Sequence, residues 1–275
     1  VIKSAGNYSV VYTDTLGCKS IVSPIYAVTI NGRPAQPVIG YSSALEFCDG
    51  GQVVLTSSQS DRYLWNTGDT SPFITVRTSG NYNVIAINDK GCRSVLASTN
   101  VPVTVNPLPA KPVITASGPL TFCPDKSVTL TSSVSETQYI WTDSTSATQS
   151  TSFDRAITIN KAGVYSVQTR SAKGCISPSS NKSRIVVLVA PLAPTIFAVT
   201  PTSVCEGNTV TLVALYANGN VEKFSWRNEE TQQEIATTGT VILKTSGQYS
   251  VKVQDSQTCN SAYSTAQVVK INALP

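Results

Sequence analysis

The sequence predicts an all-β chain of tandem immunoglobulin-like β-sandwich domains arranged as a rod, and three observations carry that expectation. A Gly-x-Tyr-x-Val motif occurs four times, at Gly6–Val10, Gly80–Val84, Gly163–Val167 and Gly247–Val251, with steps of 74, 83 and 84 residues between successive tyrosines. Between the copies, apolar and polar residues alternate, as in Val128-Thr129-Leu130-Thr131 and Ile157-Thr158-Ile159, with turn residues interspersed. Strands of this kind bury one face each, so two sheets must pack together, and seven or so short antiparallel strands per repeat suit an immunoglobulin-like sandwich. No segment reads as helical.

Each element of the repeat has its place. Cys18, Cys92, Cys175 and Cys259 each follow the motif tyrosine by ten residues. Three copies are preceded by a leading block: Phe47-Cys48 before Val53-Val54-Leu55, Phe122-Cys123 before Val128-Thr129-Leu130, and Val204-Cys205 before Val210-Thr211-Leu212. Trp65, Trp141 and Trp226 then stand 17, 18 and 21 residues after the leading cysteine. Proline clusters at Pro34–Pro37, Pro107–Pro112 and Pro191–Pro194 separate the repeats. They restrict φ and donate no hydrogen bond, so the connectors are short and stiff. The division expected is a C-terminal half-repeat at 1–33 and whole repeats at 35–106, 109–189 and 192–272. Val1-Ile2-Lys3 opens in mid-pattern without a signal peptide or initiator Met, as an interior fragment would.

Composition narrows the function. Ser and Thr make up 68 of 275 residues, which suits strands and not helices, and the net charge of +4 comes without a Lys/Arg run, so nucleic acid is not an expected partner. His is absent, which removes Ser-His-Asp and Cys-His catalysis and His-ligated zinc. No stretch is long and apolar enough for a membrane span. The expectation is a non-enzyme without cofactor or metal.

Residues singled out by the repeat read first as fold residues. Trp65, Trp141 and Trp226 are expected in the core, with Leu55, Leu130 and Leu212 on the early strand and Val10, Val84, Val167 and Val251 facing them. Tyr8, Tyr82, Tyr165 and Tyr249 are expected as core or corner residues, and Phe47 and Phe122 as apolar side chains under the first turn. Asp14, Asp89, Asp143 and Asp255 fall near strand ends and are read as turn residues, since their spacing matches no calcium loop. Glu229/Glu230 and Asp61/Asp69 do not recur between repeats, which argues against glycosidase carboxylates. The loops between Trp and Tyr vary most in length and are where a glycan or protein ligand would touch a repeat, yet they carry mainly Ser, Thr, Asn, Gln and charge.

Taken together, Pro-x-x-Pro, Phe122-Cys123, Ser127-Val128-Thr129-Leu130-Thr131, aromatic-x-Trp, Gly-x-Tyr-x-Val and Gly174-Cys175 closely resemble the tandem Ig-like repeats of giant surface proteins in the Bacteroidota. Those include gliding-motility adhesins exported by the type IX secretion system. The resemblance spans essentially the whole chain and implies an extracellular, cell-surface stalk or spacer segment whose partners are its neighbouring repeats. The last repeat departs from the pattern, with Val204 in place of Phe and Thr258 in place of Gly. The alternative is a set of binding modules that recognise glycan or protein through the Trp-to-Tyr loops.

Seven cysteines without a CxxC pair point to structural disulfides formed in an oxidising compartment. Two pairings account for the odd number. Pairing within repeats joins Cys48 to Cys92, Cys123 to Cys175 and Cys205 to Cys259, with the partner of Cys18 upstream. Pairing across linkers joins Cys18 to Cys48, Cys92 to Cys123 and Cys175 to Cys205. In an ordinary Ig topology both place the paired positions far apart; the within-repeat pairing, with a displaced leading segment, is preferred.

Overall fold

The computed structural model describes residues 1–217 and 221–275, and every regular element among them is a β-strand. The chain divides into two compact units, Val1–Leu108 with Lys173–Cys175, and Pro109–Ala172 with Ile176–Pro275.

In the first unit, β1 (Gly6–Tyr8) and β2 (Tyr26–Val28) form an antiparallel pair in the first repeat. The second repeat follows as β3 (Ile39–Tyr41), β4 (Glu46–Cys48), β5 (Val53–Ser57), β6 (Arg62–Trp65), β7 (Phe73–Val76), β8 (Gly80–Tyr82), β9 (Val84–Ile87) and β10 (Val101–Asn106). One layer is β3-β5-β7. The other contains β4-β10-β8 and β6-β9, and only Asn83 separates β8 from β9.

The second unit repeats this plan twice. Its strands are β11 (Ile114–Ala116), β12 (Thr121–Phe122), β13 (Val128–Ser132), β14 (Gln138–Asp143), β15 (Thr148–Ser152), β16 (Ala156–Ile159), β17 (Gly163–Arg170) and β18 (Ser183–Val187). They form layers β11-β13-β16 and β12-β18-β17-β14-β15. The fourth repeat adds β19 (Thr195–Ala198), β20 (Ser203–Cys205), β21 (Val210–Leu215), β22 (Lys223–Asn228), β23 (Glu234–Ala236), β24 (Thr240–Leu243), β25 (Gly247–Gln254) and β26 (Gln267–Asn272). Its layers are β19-β21-β24 and β20-β26-β25-β22-β23.

The leading segment of each whole repeat is split. It begins antiparallel in the three-stranded layer, then crosses to the other layer and runs parallel to the last strand, as β4 does beside β10, β12 beside β18 and β20 beside β26. Pro119 and Pro201 lie in two of these crossings, where a residue without an N–H costs the ladder nothing. The crossing brings the leading cysteine abreast of the final strand: Cys48 opposes Asn106 and Cys205 opposes Asn272.

The cores follow from period-two alternation. Val53 and Leu55, Val128 and Leu130, and Val210 and Leu212 are buried, while the residues between them face outward or lie half-buried. In the other layer, Trp65 lies opposite Val84 on the neighbouring strand, Trp141 opposite Val167 and Trp226 opposite Val251, all buried. Each such side chain contributes roughly 1.5 to 3 kcal/mol through burial. Phe122 is buried and Phe47 packs on the edge of its core. The first repeat corrects the expectation of a uniform core. Tyr8 is only half-buried and Val10 is 68% exposed, because the described residues of that repeat form one strand pair with no facing sheet.

Candidate functional site: the cysteine joints

The chemistry that recurs in every repeat is concentrated after the motif tyrosine. The tyrosine hydroxyl folds back to a carbonyl four residues upstream: Tyr82 donates to Thr78 O at 2.9 Å, Tyr249 to Thr245 O at 3.0 Å and Tyr8 to Ser4 O at 3.0 Å. The ring lies over the motif glycine, where a Cβ on Gly163 would come within 2.8 Å of the Tyr165 ring. Burial, with the Asp143 carboxylate nearby, pushes the Tyr165 phenol above its ordinary pKa.

The strand then ends in a turn that aims the hairpin cysteine. In three repeats one side-chain oxygen accepts two backbone N–H groups, the second being that of the cysteine. Asp14 Oδ1 takes Leu16 and Cys18, Asn88 Oδ1 takes Lys90 and Cys92, and Asp255 Oδ1 takes Gln257 and Cys259. Gly17, Gly91 and Gly174 sit just before the cysteine at φ between 79° and 86°. Thr258 holds the same position at φ 66°.

After the cysteine, two serines replace a strand. Ser177 Oγ accepts the Thr169 N–H at 2.9 Å and Ser180 Oγ that of Val167 at 2.9 Å; Ser261 and Ser264 do the same for Val253 and Val251. Ser98 serves Val84, and Ser20 and Ser23 serve Tyr12 and Val10. These hydroxyls satisfy strand N–H groups that no neighbouring strand reaches. Sequence reasoning missed them because serine in a loop carries no distinctive signal; the recurring Cys-x-Ser spacing was the available clue.

Two disulfides are formed, and both correct the expected pairing. Cys48 joins Cys175, with Cα atoms 5.5 Å apart, and Cys123 joins Cys259, at 5.4 Å. The leading cysteine of one repeat is thus bonded to the hairpin cysteine of the next. Cys92 and Cys205, expected as disulfide partners, are reduced, as is Cys18. The reason is topological. In the second repeat Cys48 lies at the end of β10, whereas β8 and β9 run antiparallel to β10 and carry Cys92 past its beginning. Those positions are about ten residue rises apart, on the order of 30 Å, beyond the roughly 7 Å that a disulfide allows. The linker pairing fails too, since Cys48 is bonded to Cys175 and not Cys18, and Cys123 to Cys259 and not Cys92.

An ion pair flanks the first joint. Lys173 Nζ lies 2.8 Å from Glu46 Oε1, which also accepts from Asn106 Nδ2 at 3.1 Å. The hydrogen bond from Lys173, then that from Asn106, holds the Glu46 carboxyl below its ordinary range, and Glu46 raises Lys173 in turn. Cys175 Sγ stands 4.0 Å from Asn106 O.

Other carboxylates singled out by the sequence accept backbone N–H groups or side-chain hydroxyls. Asp69 takes the Ser71 N–H at 2.8 Å, Asp61 the Asp89 N–H at 2.8 Å, and Asp143 the N–H of Thr145 at 2.9 Å together with the Ser146 hydroxyl. Glu229 is held below its ordinary pKa by Ser250 and then by Arg227, whose guanidinium stacks 3.8 Å above the Tyr263 ring. Glu230 uses its backbone N–H to close a turn on Asn228.

No family model matches the chain, and no curated protein matches it. Among solved structures, it is similar to the FN1-FN3 domains of chicken CNTN1, at 14% identity and TM-score 0.36 over 87% of this chain and all of that one. It is similar to a 1.5-MDa bacterial ice-binding adhesin studied for host cell surface retention, at 12% identity and TM-score 0.32, covering 89% of this chain and all of that one. The human OSCAR ligand-binding domain matches at 15% identity and TM-score 0.26, over 59% of this chain and the whole of the other.

Proposed function

We propose that the chain is a non-enzymatic structural segment of a long extracellular surface protein, in which disulfides between successive repeats carry tension. The observation that supports this reading most is the interleaving of Cys48–Cys175 with Cys123–Cys259, which binds three repeats into one covalent mesh. A bond inside a repeat would protect that repeat alone, whereas bonds between neighbours resist their separation. Disulfides belong to an oxidising compartment, in keeping with an extracellular place. The chain-entropy model gives about 5 kcal/mol for closing either loop alone, and because the loops overlap the two contributions are not additive. The rod, the cell-surface location and a kinship with gliding-motility adhesins and type IX export belong to this proposal, and the motifs that resemble Bacteroidota repeats support them.

Pulling the chain by its ends tests the reading. In the oxidised chain the shortest covalent route runs from Val1 to Cys48, across to Cys175, back to Cys123, across to Cys259 and on to Pro275. Single-molecule extension should therefore stop at roughly two-fifths of the contour length reached after reduction. Full extension of the oxidised chain, repeat by repeat, would remove the mechanical role.

A further inference from the structure

The surroundings of Cys205 reproduce those of Cys48. Val204 and Cys205 lie in parallel register with Ile271 and Asn272, as Phe47 and Cys48 do with Val105 and Asn106. The next amide closes on the same carbonyl, Glu206 N–H on Asn272 O at 2.7 Å and Asp49 N–H on Asn106 O at 2.8 Å. Gly207 and Gly50 follow at φ 90° and 88°. Cys48 in this setting is bonded to a hairpin cysteine, while Cys205 is exposed and reduced.

The complementary setting is found at Cys92. Its Sγ stands 4.0 Å from Asn31 O, as Cys175 Sγ stands 4.0 Å from Asn106 O. Asn31 and Asn106 occupy the same place in Thr29-Ile30-Asn31 and Thr104-Val105-Asn106. Asn88 Nδ2 strengthens the contact with a 2.8 Å bond to Gly32 O. The hairpin of the second repeat therefore already rests on the first repeat as a joint requires. What differs is that residues 1–33 contain no leading cysteine block.

We propose that Cys205 and Cys92 are complementary halves of further covalent joints. Cys205 takes the hairpin cysteine of another repeat of this kind, and Cys92 takes the leading cysteine of one. Cys18, on the same side-chain-held turn, is a second hairpin half. The bond forms by thiol–disulfide exchange with a small disulfide such as oxidised glutathione. The Cys205 thiolate attacks one glutathione sulfur and releases the other as thiolate; the incoming hairpin thiolate then attacks the Cys205 sulfur and releases the second. One S–S bond is broken and one formed, and two electrons and two protons pass to two glutathione thiols. This names a partner for the mechanical segment, but it rests on the joint geometry and stands or falls separately from the tension-bearing role.

Two extensions of the full chain test it. One appends a second copy of residues 193–272 after Pro275; the other places a copy of residues 35–74 before Val1, which completes the first repeat. Each is oxidised in glutathione buffer, alkylated and mapped without reduction. The expected products are a peptide linking Cys205 to the appended copy of Cys259, and one linking the prefixed copy of Cys48 to Cys92. In the appended chain, changing the copied cysteine by Cys259→Ser should return Cys205 to full alkylation. The proposal is overturned if Cys205 and Cys92 are both alkylated in the extended chains while Cys48–Cys175 and Cys123–Cys259 are intact, or if the appended cysteines pair with each other. Loss of the two native bonds would instead count against the joint itself and the mechanical function with it.

Discussion

Thr258 holds a left-handed backbone, φ 66°, where the other three hairpins use glycine. A β-branched residue there costs about 1 to 2 kcal/mol, so Thr258→Gly should raise the unfolding free energy of the fourth repeat by about 1 kcal/mol in a denaturant titration. No gain, or a loss, would mean that the threonine side chain supports the turn. The Glu46–Lys173 pair makes a second prediction at this scale. Glu46 is held below its ordinary pKa, so its contribution is complete above the unfolded glutamate range and fades as pH falls through the lowered value. Lys173 is held above its ordinary value, so its contribution is complete below the unfolded lysine range and fades as pH rises through the raised one. The pair therefore supports the joint from about pH 5 to 10. A carboxyl titration of Glu46 by NMR should move up towards the ordinary glutamate range in Lys173→Ala. The turn at Gly-Cys was legible in the sequence; the role of Asn88 was not, because Asn and Asp near a glycine signal any turn and the adjacent Asp89 carries the same signal.

At the scale of the element, the segment after the hairpin cysteine replaces a hydrogen-bonded strand with serine hydroxyls. Ser180 is buried and its Oγ accepts from Val167, itself fully buried. Ser180→Ala leaves that N–H without a partner and should destabilise the third repeat by about 1 to 3 kcal/mol. Hydrogen exchange should localise the effect, with faster exchange at Val167 than at other β17 amides. An unchanged rate would show that another acceptor takes over. Alternation made the strands around Val128, Leu130, Trp141 and Val167 legible, since period two admits one buried face. The crossing of the leading strand between layers was not legible, because β4 is only three residues long and reads as loop. That crossing is what places Cys48, Phe47 and Glu46 beside the last strand.

For the whole molecule, the sandwich architecture followed from spacing and alternation, but the pairing of cysteines did not. Both expected pairings treated each repeat as a closed object or joined it to its neighbour through adjacent cysteines. The formed bonds skip two cysteines, since a leading cysteine lies at the outgoing end of its sandwich and a hairpin cysteine at the incoming end of the following one, as Cys123 and Cys259 show within the second unit. Sequence separation alone favoured shorter loops, and the 127- and 136-residue spans of the actual bonds are close in entropic effect to shorter ones because loop entropy grows only logarithmically. Bonds that step to the next repeat leave one unmatched half at each end of the three whole repeats, Cys92 and Cys205, and the number is odd because residues 1–33 carry the hairpin cysteine Cys18 without a leading one.

Disulfide mapping of the monomeric chain tests this account most directly. The free thiols are alkylated first, the protein is digested without reduction, and the linked peptides are identified by mass spectrometry. The account predicts two cross-linked peptides, Cys48 with Cys175 and Cys123 with Cys259, and alkylation of Cys18, Cys92 and Cys205. A peptide joining Cys48 to Cys92, or Cys92 to Cys123, would contradict it.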